Sequence, residues 1–200
     1  MTTTDIIRKR YNRTSVFYDC MDTMIKDDVR KKVLSHAHGK VLEVGVGTGK
    51  NLQFYPDNCQ VTGIDFSPGM LKKARKRTEG RPSIILLEMD IQNLEFPDNS
   101  FDTIIATCVF CSVPDPLQGL RELRRVCKPE GKLIFLEHIR SDKKMMGLLM
   151  DILNPMVVRF IGANINRKTL ENMESAHLRL EQVDTMSMEI LKFVIASPNK

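Results

Sequence analysis

Short apolar runs alternate with longer amphipathic stretches along this chain. The apolar runs predict buried β-strands at Lys40 to Val44, Gln60 to Asp65, Ser83 to Met89, Phe101 to Thr107, Gly131 to His138 and Leu191 to Ser197. Apolar residues at helical spacing predict helices at Asn51 to Phe54, Pro68 to Thr78, Pro116 to Val126 and Leu170 to Ala176. Strands that alternate with helices pair in parallel, with helices on both faces of the sheet. The pattern therefore predicts an α/β fold with a Rossmann-like, doubly wound and mostly parallel sheet.

Two segments depart from this alternation. The first 39 residues carry apolar side chains at mostly helical spacing, which predicts N-terminal helices; these side chains are Tyr11, Val16, Phe17, Met21, Met24, Ile25, Val29 and Val33. The stretch Met145 to Ile165 is rich in Met, Leu and Ile and is interrupted by Pro155 and Gly162. We expect this stretch to form a helical insertion after the fifth strand, over the carboxyl edge of the sheet.

The composition is typical of globular proteins and gives only weak evidence for any partner. The 200 residues are 42% hydrophobic and 28% charged, and 30 Lys and Arg against 25 Asp and Glu give a formal charge of +5. This mixed, mildly basic balance favours solvated helix faces ahead of attraction to an anionic membrane surface or an acidic substrate. No nucleic-acid partner is expected.

The cysteines and the apolar runs bear on the compartment. Five cysteines form an odd set without the two C-x-x-C pairs of a structural zinc site, so we expect no metal. The sequence shows no apolar leader and no run of about 20 apolar residues. We therefore expect a cytoplasmic protein whose contact with membranes, where it occurs, is peripheral.

The strongest local signal is a predicted strand that runs directly into a G-x-G-x-G turn. Glycines at Gly45, Gly47 and Gly49 allow unusual backbone dihedrals and a close approach of a ligand to the main chain. The third glycine comes one residue earlier than in a dinucleotide-binding fingerprint, and Glu43 precedes the turn. A carboxylate at this place disfavours a pyrophosphate and favours a cationic ligand. These features argue against a nicotinamide-dependent oxidoreductase.

Acidic residues follow the next two predicted strands. Asp65 stands 20 positions after Gly45, where a doubly wound fold places a carboxylate that accepts hydrogen bonds from ribose hydroxyls. Asp90 follows the third strand and is suited to an adenine amine, with Ile91 and Met70 as apolar walls. Each acid alone has a simpler explanation as a helix cap. Together they predict a nucleoside site.

Four runs resemble successive motifs of the class I S-adenosylmethionine-dependent methyltransferases: Leu42 to Gly49, Gly63 to Leu71, Asp90 to Asp102 and Leu123 to Lys132. The resemblance implies that the chain uses S-adenosylmethionine and releases S-adenosylhomocysteine. It also implies the residues around this ligand. Glu43 and the glycine turn would hold the methionine moiety, Asp65 the ribose, and Thr107 would lie near the reacting methyl; the adenine would be surrounded by Phe66, Met70, Asp90 and Ile91.

The branch of this family is indicated by two further stretches. Phe17 to Asp22 resembles the opening of ubiquinone and menaquinone C-methyltransferases and of bacterial phosphatidylethanolamine N-methyltransferases. Cys108 to Val113 and Leu136 to His138 are similar to methyltransferase-like thiol S-methyltransferases, whose N-terminal hydrophobic anchor this sequence lacks. We expect a small apolar or amphiphilic acceptor, a phospholipid amine or a quinone-type carbon ahead of a thiol. The alternative from another class is a non-enzymatic S-adenosylmethionine-binding module.

Two residues are candidates for catalysis. His138 ends a predicted strand and is a candidate general base, or else a loop histidine that merely follows the strand. Tyr18 is a candidate to close over the methyl group, or else a core aromatic. The expected layout is one methyltransferase domain with a helical cap at 1–39, a cofactor-binding core at 40–138, an acceptor-side insertion at 139–176 and C-terminal strands at 177–200. The sequence does not determine the oligomeric state.

Overall fold

A mixed β-sheet with helices on both faces organises the chain. The computed structural model describes residues 7–9, 11–12, 25–160, 162–187 and 189–200. The strands are β1 (Lys40–Val44), β2 (Gln60–Asp65), β3 (Ile84–Glu88), β4 (Phe101–Thr107), β5 (Cys127–His138), β6 (Arg179–Ser187) and β7 (Leu191–Ser197). The longer helices are α1 (Asp27–Leu34), α2 (Pro68–Arg77), α3 (Pro116–Val126), α4 (Lys144–Phe160) and α5 (Thr169–Ser175). A short 3-10 helix covers Leu52–Phe54, and residues 7–9 and 11–12 are also helical.

The strand order confirms the predicted α/β fold. Within the described residues, seven strands lie in the order β3-β2-β1-β4-β5-β7-β6. The first five strands pair in parallel, whereas β7 lies antiparallel between β5 and β6. The direction of the winding reverses between β1 and β4, and in such sheets ligands bind in the crevice beyond the carboxyl ends of the strands.

The central strands are buried on both faces, which explains their nearly continuous apolar sequences. Successive side chains of a strand point to opposite faces. In β4, Ile104 packs in the cluster that contains Leu120 of α3, while its neighbour Ile105 packs in the cluster that contains Leu34 of α1 and Leu71 of α2. The core therefore consists of two apolar layers, one on each side of the sheet.

Two helices start where their capping residues predict. The Ser67 hydroxyl accepts a hydrogen bond from the Met70 amide at 3.2 Å, and Pro68 follows as the first residue of α2. The Asp115 carboxylate likewise accepts one from the Gln118 amide at 3.0 Å before α3. These side chains satisfy amides that have no partner within the helix. Because α2 begins directly after β2, its first turn lies at the carboxyl edge of the sheet.

Some element bounds differ from the sequence predictions. β5 begins at Cys127 instead of Gly131, because Cys127 pairs with Phe101 of β4 before a register shift. The predicted helix Asn51 to Phe54 is a 3-10 helix of three residues. In the N-terminal segment, α1 begins at Asp27. The predicted helical positions Val16, Phe17, Met21 and Met24 lie outside the described residues.

The predicted helical insertion after the fifth strand is α4, a helix of 17 residues with Pro155 inside it. It lies between β5 and α5 in the chain. In the part of the chain that the structure describes, no helix is both long enough and apolar enough to cross a membrane.

Candidate active site

A cleft lies beyond the carboxyl ends of β1, β2 and β4. It has a larger cavity of about 700 Å³, which includes the open space at its mouth, and a smaller cavity of about 390 Å³. The two cavities adjoin, because both are lined by Gly45, Gly47, Thr107 and Cys108. The cleft therefore suits an elongated ligand with two chemically different ends.

The glycines of the turn after β1 have different structural roles. All three have positive φ: 62° at Gly45, 57° at Gly47 and 83° at Gly49. A Cβ on Gly49 would lie 3.0 Å from the Cα of Ala74 and 2.9 Å from the Leu52 side chain, so this glycine lets α2 pack closely. A Cβ on Gly47 would meet nothing nearer than a carbonyl oxygen at 3.9 Å. The space beside Gly47 is open to a ligand.

Asp65 is fixed at the edge of the larger cavity. Its side chain is buried, and its two carboxylate oxygens accept hydrogen bonds from the Gly47 amide at 2.9 Å and the Ser67 amide at 2.8 Å. Burial raises the pKa of Asp65 to about 6, although both amide bonds act in the opposite direction. The carboxylate joins the glycine turn to the start of α2, and each oxygen retains a lone pair for a ligand hydroxyl.

Glu43 ends a buried chain of polar groups that starts in α1. Arg30 Nη1 donates to Asn51 Oδ1 at 2.7 Å, and Asn51 Nδ2 donates to Glu43 Oε1 at 2.8 Å. Among the described residues, no group reaches hydrogen-bond geometry with the second oxygen, Glu43 Oε2, although the neighbouring Tyr55 hydroxyl interacts with this carboxyl group. Burial raises the pKa of Glu43 to about 7, although the Asn51 amide, the Tyr55 hydroxyl and the charge of Arg30 act in the opposite direction.

The smaller cavity thus carries both signs of charge. Glu43 and Arg30 both line it, and both side chains are buried. A buried carboxylate with an unused acceptor is suited to a cationic group, and a guanidinium is suited to a carboxylate. This pair matches the two ends of a zwitterionic amino acid. Arg30 could not be identified from the sequence, because a cation in an amphipathic helix is typical of a solvated face.

The far end of the larger cavity is apolar with one acidic group. Ile91 and Met70 are buried in its wall, and Phe66 lines it as well. Asp90 Oδ1 accepts hydrogen bonds from both the main-chain amide and the side chain of Gln92, at 2.9 and 3.0 Å. These walls suit a flat aromatic base with an exocyclic amine.

Tyr11 covers the larger cavity from the N-terminal segment. Its hydroxyl forms a hydrogen bond of 2.5 Å with Ser112 Oγ, and its ring meets Phe66 edge-on with centroids 5.8 Å apart. Arg8, on the same N-terminal segment, forms an ion pair of 2.7 Å with Glu88 of β3. Burial raises the pKa of the Tyr11 hydroxyl, which keeps it protonated at neutral pH. Tyr18, the residue predicted to close over the methyl group, lies outside the described residues.

The turn after β4 is held from behind by Glu137. Its fully buried carboxylate accepts hydrogen bonds from the Val109 amide at 2.9 Å and the Phe110 amide at 3.3 Å. Burial raises the pKa of Glu137 to about 8. Cys108, at the start of this turn, has a φ of 53°, a value that non-glycine residues rarely adopt. Glu137 therefore stabilises a strained turn that lines both cavities.

His138 points away from this turn, because it follows Glu137 on the opposite face of β5. It is half-buried, and burial lowers its pKa. The residues that line the two cavities do not include His138. Its role as a general base stays a prediction.

The structure brings most of the sequence-predicted ligand residues together. Eight of them line the larger cavity: Gly45, Gly47, Asp65, Phe66, Met70, Asp90, Ile91 and Thr107. Glu43 lines the smaller cavity, and Gly49 packs against α2 instead of facing either cavity. Across the described ranges, no group of three or more His, Cys, Asp or Glu side chains is arranged to hold a metal ion.

Comparison with known proteins shows which proteins this chain is similar to. A family model described as a methyltransferase domain matches residues 42–135. A phosphatidylethanolamine N-methyltransferase of Cereibacter sphaeroides is 37% identical over 145 residues, which are 70% of this chain and 71% of that protein. The human thiol S-methyltransferase TMT1B is 34% identical over 163 residues, 76% of this chain and 66% of that protein.

Two further comparisons add a third kind of methyltransferase to the relatives and support the fold. A demethylmenaquinone methyltransferase of Thermus thermophilus is 34% identical over 137 residues, 66% of this chain and 62% of that protein. The chain thus spans slightly less than two thirds of the thiol and menaquinone enzymes. The crystal structure of a SAM-dependent methyltransferase from Aquifex aeolicus has a TM-score of 0.61 at 21% identity, over 84% of this chain and 88% of that one.

Proposed function

Because this chain belongs to the family of S-adenosylmethionine-dependent methyltransferases, we propose that its cleft binds S-adenosylmethionine and that its acceptor is a small amphiphile, first of all a phospholipid amine. The observation that carries the proposal is the buried carboxylate of Glu43, whose second oxygen accepts no hydrogen bond of good geometry from a described residue. A cation in the smaller cavity would use this oxygen.

The residues present fit the amino-acid end of S-adenosylmethionine. Glu43 would accept from the ammonium group, and Arg30 would pair with the ligand carboxylate. The open space at Gly47 would let the ligand chain pass close to the turn. Thr107 lines both cavities, so it would lie beside the middle of the ligand, where the sulfonium is.

The residues of the larger cavity fit the nucleoside end. Asp65 would accept hydrogen bonds from the ribose hydroxyls, and Asp90 would accept from the adenine amine. Phe66, Met70 and Ile91 would pack against the base. Each of these roles uses a group whose position is already set by hydrogen bonds or packing.

The bound cofactor supplies a methyl group that the positive sulfur has already activated. The chain therefore needs to hold the acceptor in line and to keep water out, and proximity alone gives a large rate gain. Tyr11 and Ser112 close one wall of the larger cavity, and the Tyr11 hydroxyl keeps its proton. A phospholipid amine is mostly an ammonium ion at neutral pH, so it must lose a proton to solvent before its nitrogen has the lone pair that takes the methyl group.

The choice of a phospholipid amine rests on two supports. The phosphatidylethanolamine N-methyltransferase is more similar to this chain than the thiol and menaquinone enzymes described above. The second support is the exposed apolar surface of α4, which suits a protein that meets amphiphilic molecules. A quinone-type carbon is the next candidate, followed by a thiol.

An acceptor panel tests the proposal. The chain is incubated with methyl-labelled S-adenosylmethionine in three separate reactions. Each reaction contains one acceptor: phosphatidylethanolamine, demethylmenaquinone or an alkyl thiol. We expect labelled phosphatidylethanolamine from the wild type and a strong loss of label with Glu43→Gln. Label only in the quinone or only in the thiol would contradict the amine. Cofactor binding without transfer to any of the three would favour a non-enzymatic binding module.

A further inference from the structure

Helix α4 has an inverted polarity for a surface helix. Surface helices normally turn their apolar side chains toward the protein and their polar ones toward water. In α4 the outward positions are apolar: Met145, Met146, Leu148, Leu149, Ile152, Leu153, Met156 and Phe160 are all exposed. Met145 is 87% exposed, Ile152 67% and Phe160 72%. Contiguous apolar surface of this kind marks a binding surface.

The outward residues form one continuous stripe. Met145, Leu149 and Ile152 follow at intervals of three and four residues, as does Met156 after Ile152, so they lie along the same side of the helix. Gly147 and Met150 are buried on the other side. The exposed residues therefore form one face, which we call the α4 face.

The polar residues in the middle of α4, Asp151 and Asn154, are half-buried and are hydrogen-bonded on the inner side of the helix. Asp151 accepts from Arg140 Nη2 at 2.8 Å and from Asn166 Nδ2 at 3.0 Å. Asn154 donates to Asn164 Oδ1 at 3.2 Å and accepts from the Ile165 amide at 2.9 Å. These bonds fix the rotation of the helix, so the apolar side cannot turn inward without breaking them. The outward exposure is therefore built into the fold.

Positive charges flank the α4 face. Lys143 and Lys144 stand at its N-terminal end, and Arg159 lies in its last turn. The acids of this region are Asp142, exposed beside Lys143, and Asp151, which Arg140 neutralises. Lys143 also pairs with Glu189, at 3.1 Å and in an exposed position, where such pairs are weak. Cations at both ends of an apolar face match an anionic lipid surface.

The α4 face is connected to the cleft by the segment 162–168. The Asn164 amide donates to the Cys111 carbonyl at 2.7 Å, and Arg167 Nη2 donates to the Val113 carbonyl at 2.8 Å. Val113 lines the larger cavity, next to Ser112, which holds Tyr11. Two hydrogen bonds therefore link α4 to the wall of the cleft. The first joins Asn154 to Asn164, and the second joins Asn164 to the Cys111 carbonyl, next to Ser112.

We propose that the α4 face docks on an anionic lipid surface, with the helix lying in the headgroup region, and so brings the wall of the cleft beside the lipids. This inference extends the proposed function, since an amphiphilic acceptor would be met at such a surface. Docking itself requires neither the cofactor nor the acceptor. The two proposals therefore fail separately.

The test is co-sedimentation of the full chain with vesicles that contain no acceptor amine, made of equal parts phosphatidylglycerol and phosphatidylcholine. We compare the wild type with Ile152→Gln/Met156→Gln, because glutamine retains helix propensity. The matched control is Ile85→Gln/Val183→Gln, which alters two other exposed apolar residues, 57% and 43% exposed, on the edge strands β3 and β6. Circular dichroism and melting confirm that each variant folds.

We expect the wild type to bind anionic vesicles and to bind vesicles of phosphatidylcholine alone more weakly. The α4 variant should lose affinity about tenfold or more, since two large apolar side chains no longer enter the lipid, and the control should bind as the wild type does. Absence of binding, or equal loss in both variants, would overturn the proposal. The proposal would also be overturned if the wild type were a dimer, the α4 variant were a monomer and both bound vesicles equally well. The α4 face would then be a subunit interface.

Failure of docking is distinguished from failure of the proposed function by a short-chain phosphatidylethanolamine that stays monomeric in solution. Methyl transfer to it without vesicle binding would overturn docking alone. Vesicle binding without transfer to any amine would overturn the proposed acceptor alone.

Discussion

At the scale of single residues, two buried carboxyl groups of the sheet differ in their partners. Both oxygens of Glu137 are occupied by main-chain amides of the turn after β4. Oε1 of Glu43 accepts a hydrogen bond from Asn51, whereas Oε2 has the Tyr55 hydroxyl near it but no hydrogen bond of good geometry with a described residue. Glu137 therefore shapes the cleft from behind, whereas Glu43 has an acceptor left for a ligand.

Replacement of Glu137 measures what the carboxyl contributes to the fold. Glu137→Ala leaves the Val109 and Phe110 amides buried without their partner, so the free energy of unfolding should fall by about 2–4 kcal/mol. Glu137→Gln keeps one acceptor oxygen and should recover part of this loss. Urea denaturation measures both. A loss below about 1 kcal/mol for the alanine variant would contradict the structural role.

The sequence revealed those site residues that stand at fixed places relative to apolar runs. Asp65 and Asp90 directly follow buried strands, and the topology brings such positions to one edge. Arg30 and Tyr11 gave no comparable signal, because their contacts depend on how the N-terminal helices pack onto the sheet. A charged or aromatic residue at helical spacing is compatible with either a solvated or a buried place.

At the scale of elements, the glycine turn separates ligand binding from packing. Gly47→Ala should cost stability only the roughly 1 kcal/mol of its positive φ and should reduce affinity for the cofactor strongly, since the new methyl group would occupy open space in the cleft. Gly49→Ala should lower the free energy of unfolding by about 1–3 kcal/mol, because its Cβ would collide with α2. Thermal melting and calorimetry with S-adenosylmethionine compare the two. Equal effects on stability would contradict this division.

The elements that the sequence predicted best are those buried on both faces. The predicted bounds of β1, β2, β4 and β7 agree with the structure, because nearly every residue in these strands is apolar or adjoins a turn signal. The pattern did not single out β6, since its nine residues are mostly polar, as suits an edge strand. For α4, the sequence showed apolar content, but the hydrogen bonds of Asp151 and Asn154 decide which side faces out.

At the scale of the whole molecule, the buried carboxyl groups predict how stability depends on pH. Burial raises the pKa of Asp65 to about 6, of Glu43 to about 7 and of Glu137 to about 8. Each group binds more protons in the folded state than in the unfolded state, where the pKa is about 4. Its contribution to stability is therefore full below about pH 4 and is lost as the pH rises through the folded-state pKa.

The melting temperature of the ligand-free protein should accordingly fall between about pH 5 and about pH 8.5. His138 acts in the opposite direction near its unfolded pKa of about 6.5, because burial lowers its pKa. Glu43→Gln should flatten the decline around pH 7, since it removes one of the three groups. Differential scanning calorimetry at constant ionic strength measures the profile, and a melting temperature that rises steadily over this range would contradict it.

Calorimetric titration of the wild type and Glu43→Gln with S-adenosylmethionine and S-adenosylhomocysteine measures what this carboxylate contributes to ligand binding. Both ligands carry the amino group, and only the first carries the positive sulfur. We expect Glu43→Gln to weaken both by about tenfold or more, with a larger loss for S-adenosylmethionine if the carboxylate also acts on the sulfur. Unchanged affinity for both ligands, in a variant that melts as a folded protein, would contradict the assignment of Glu43 and of the smaller cavity.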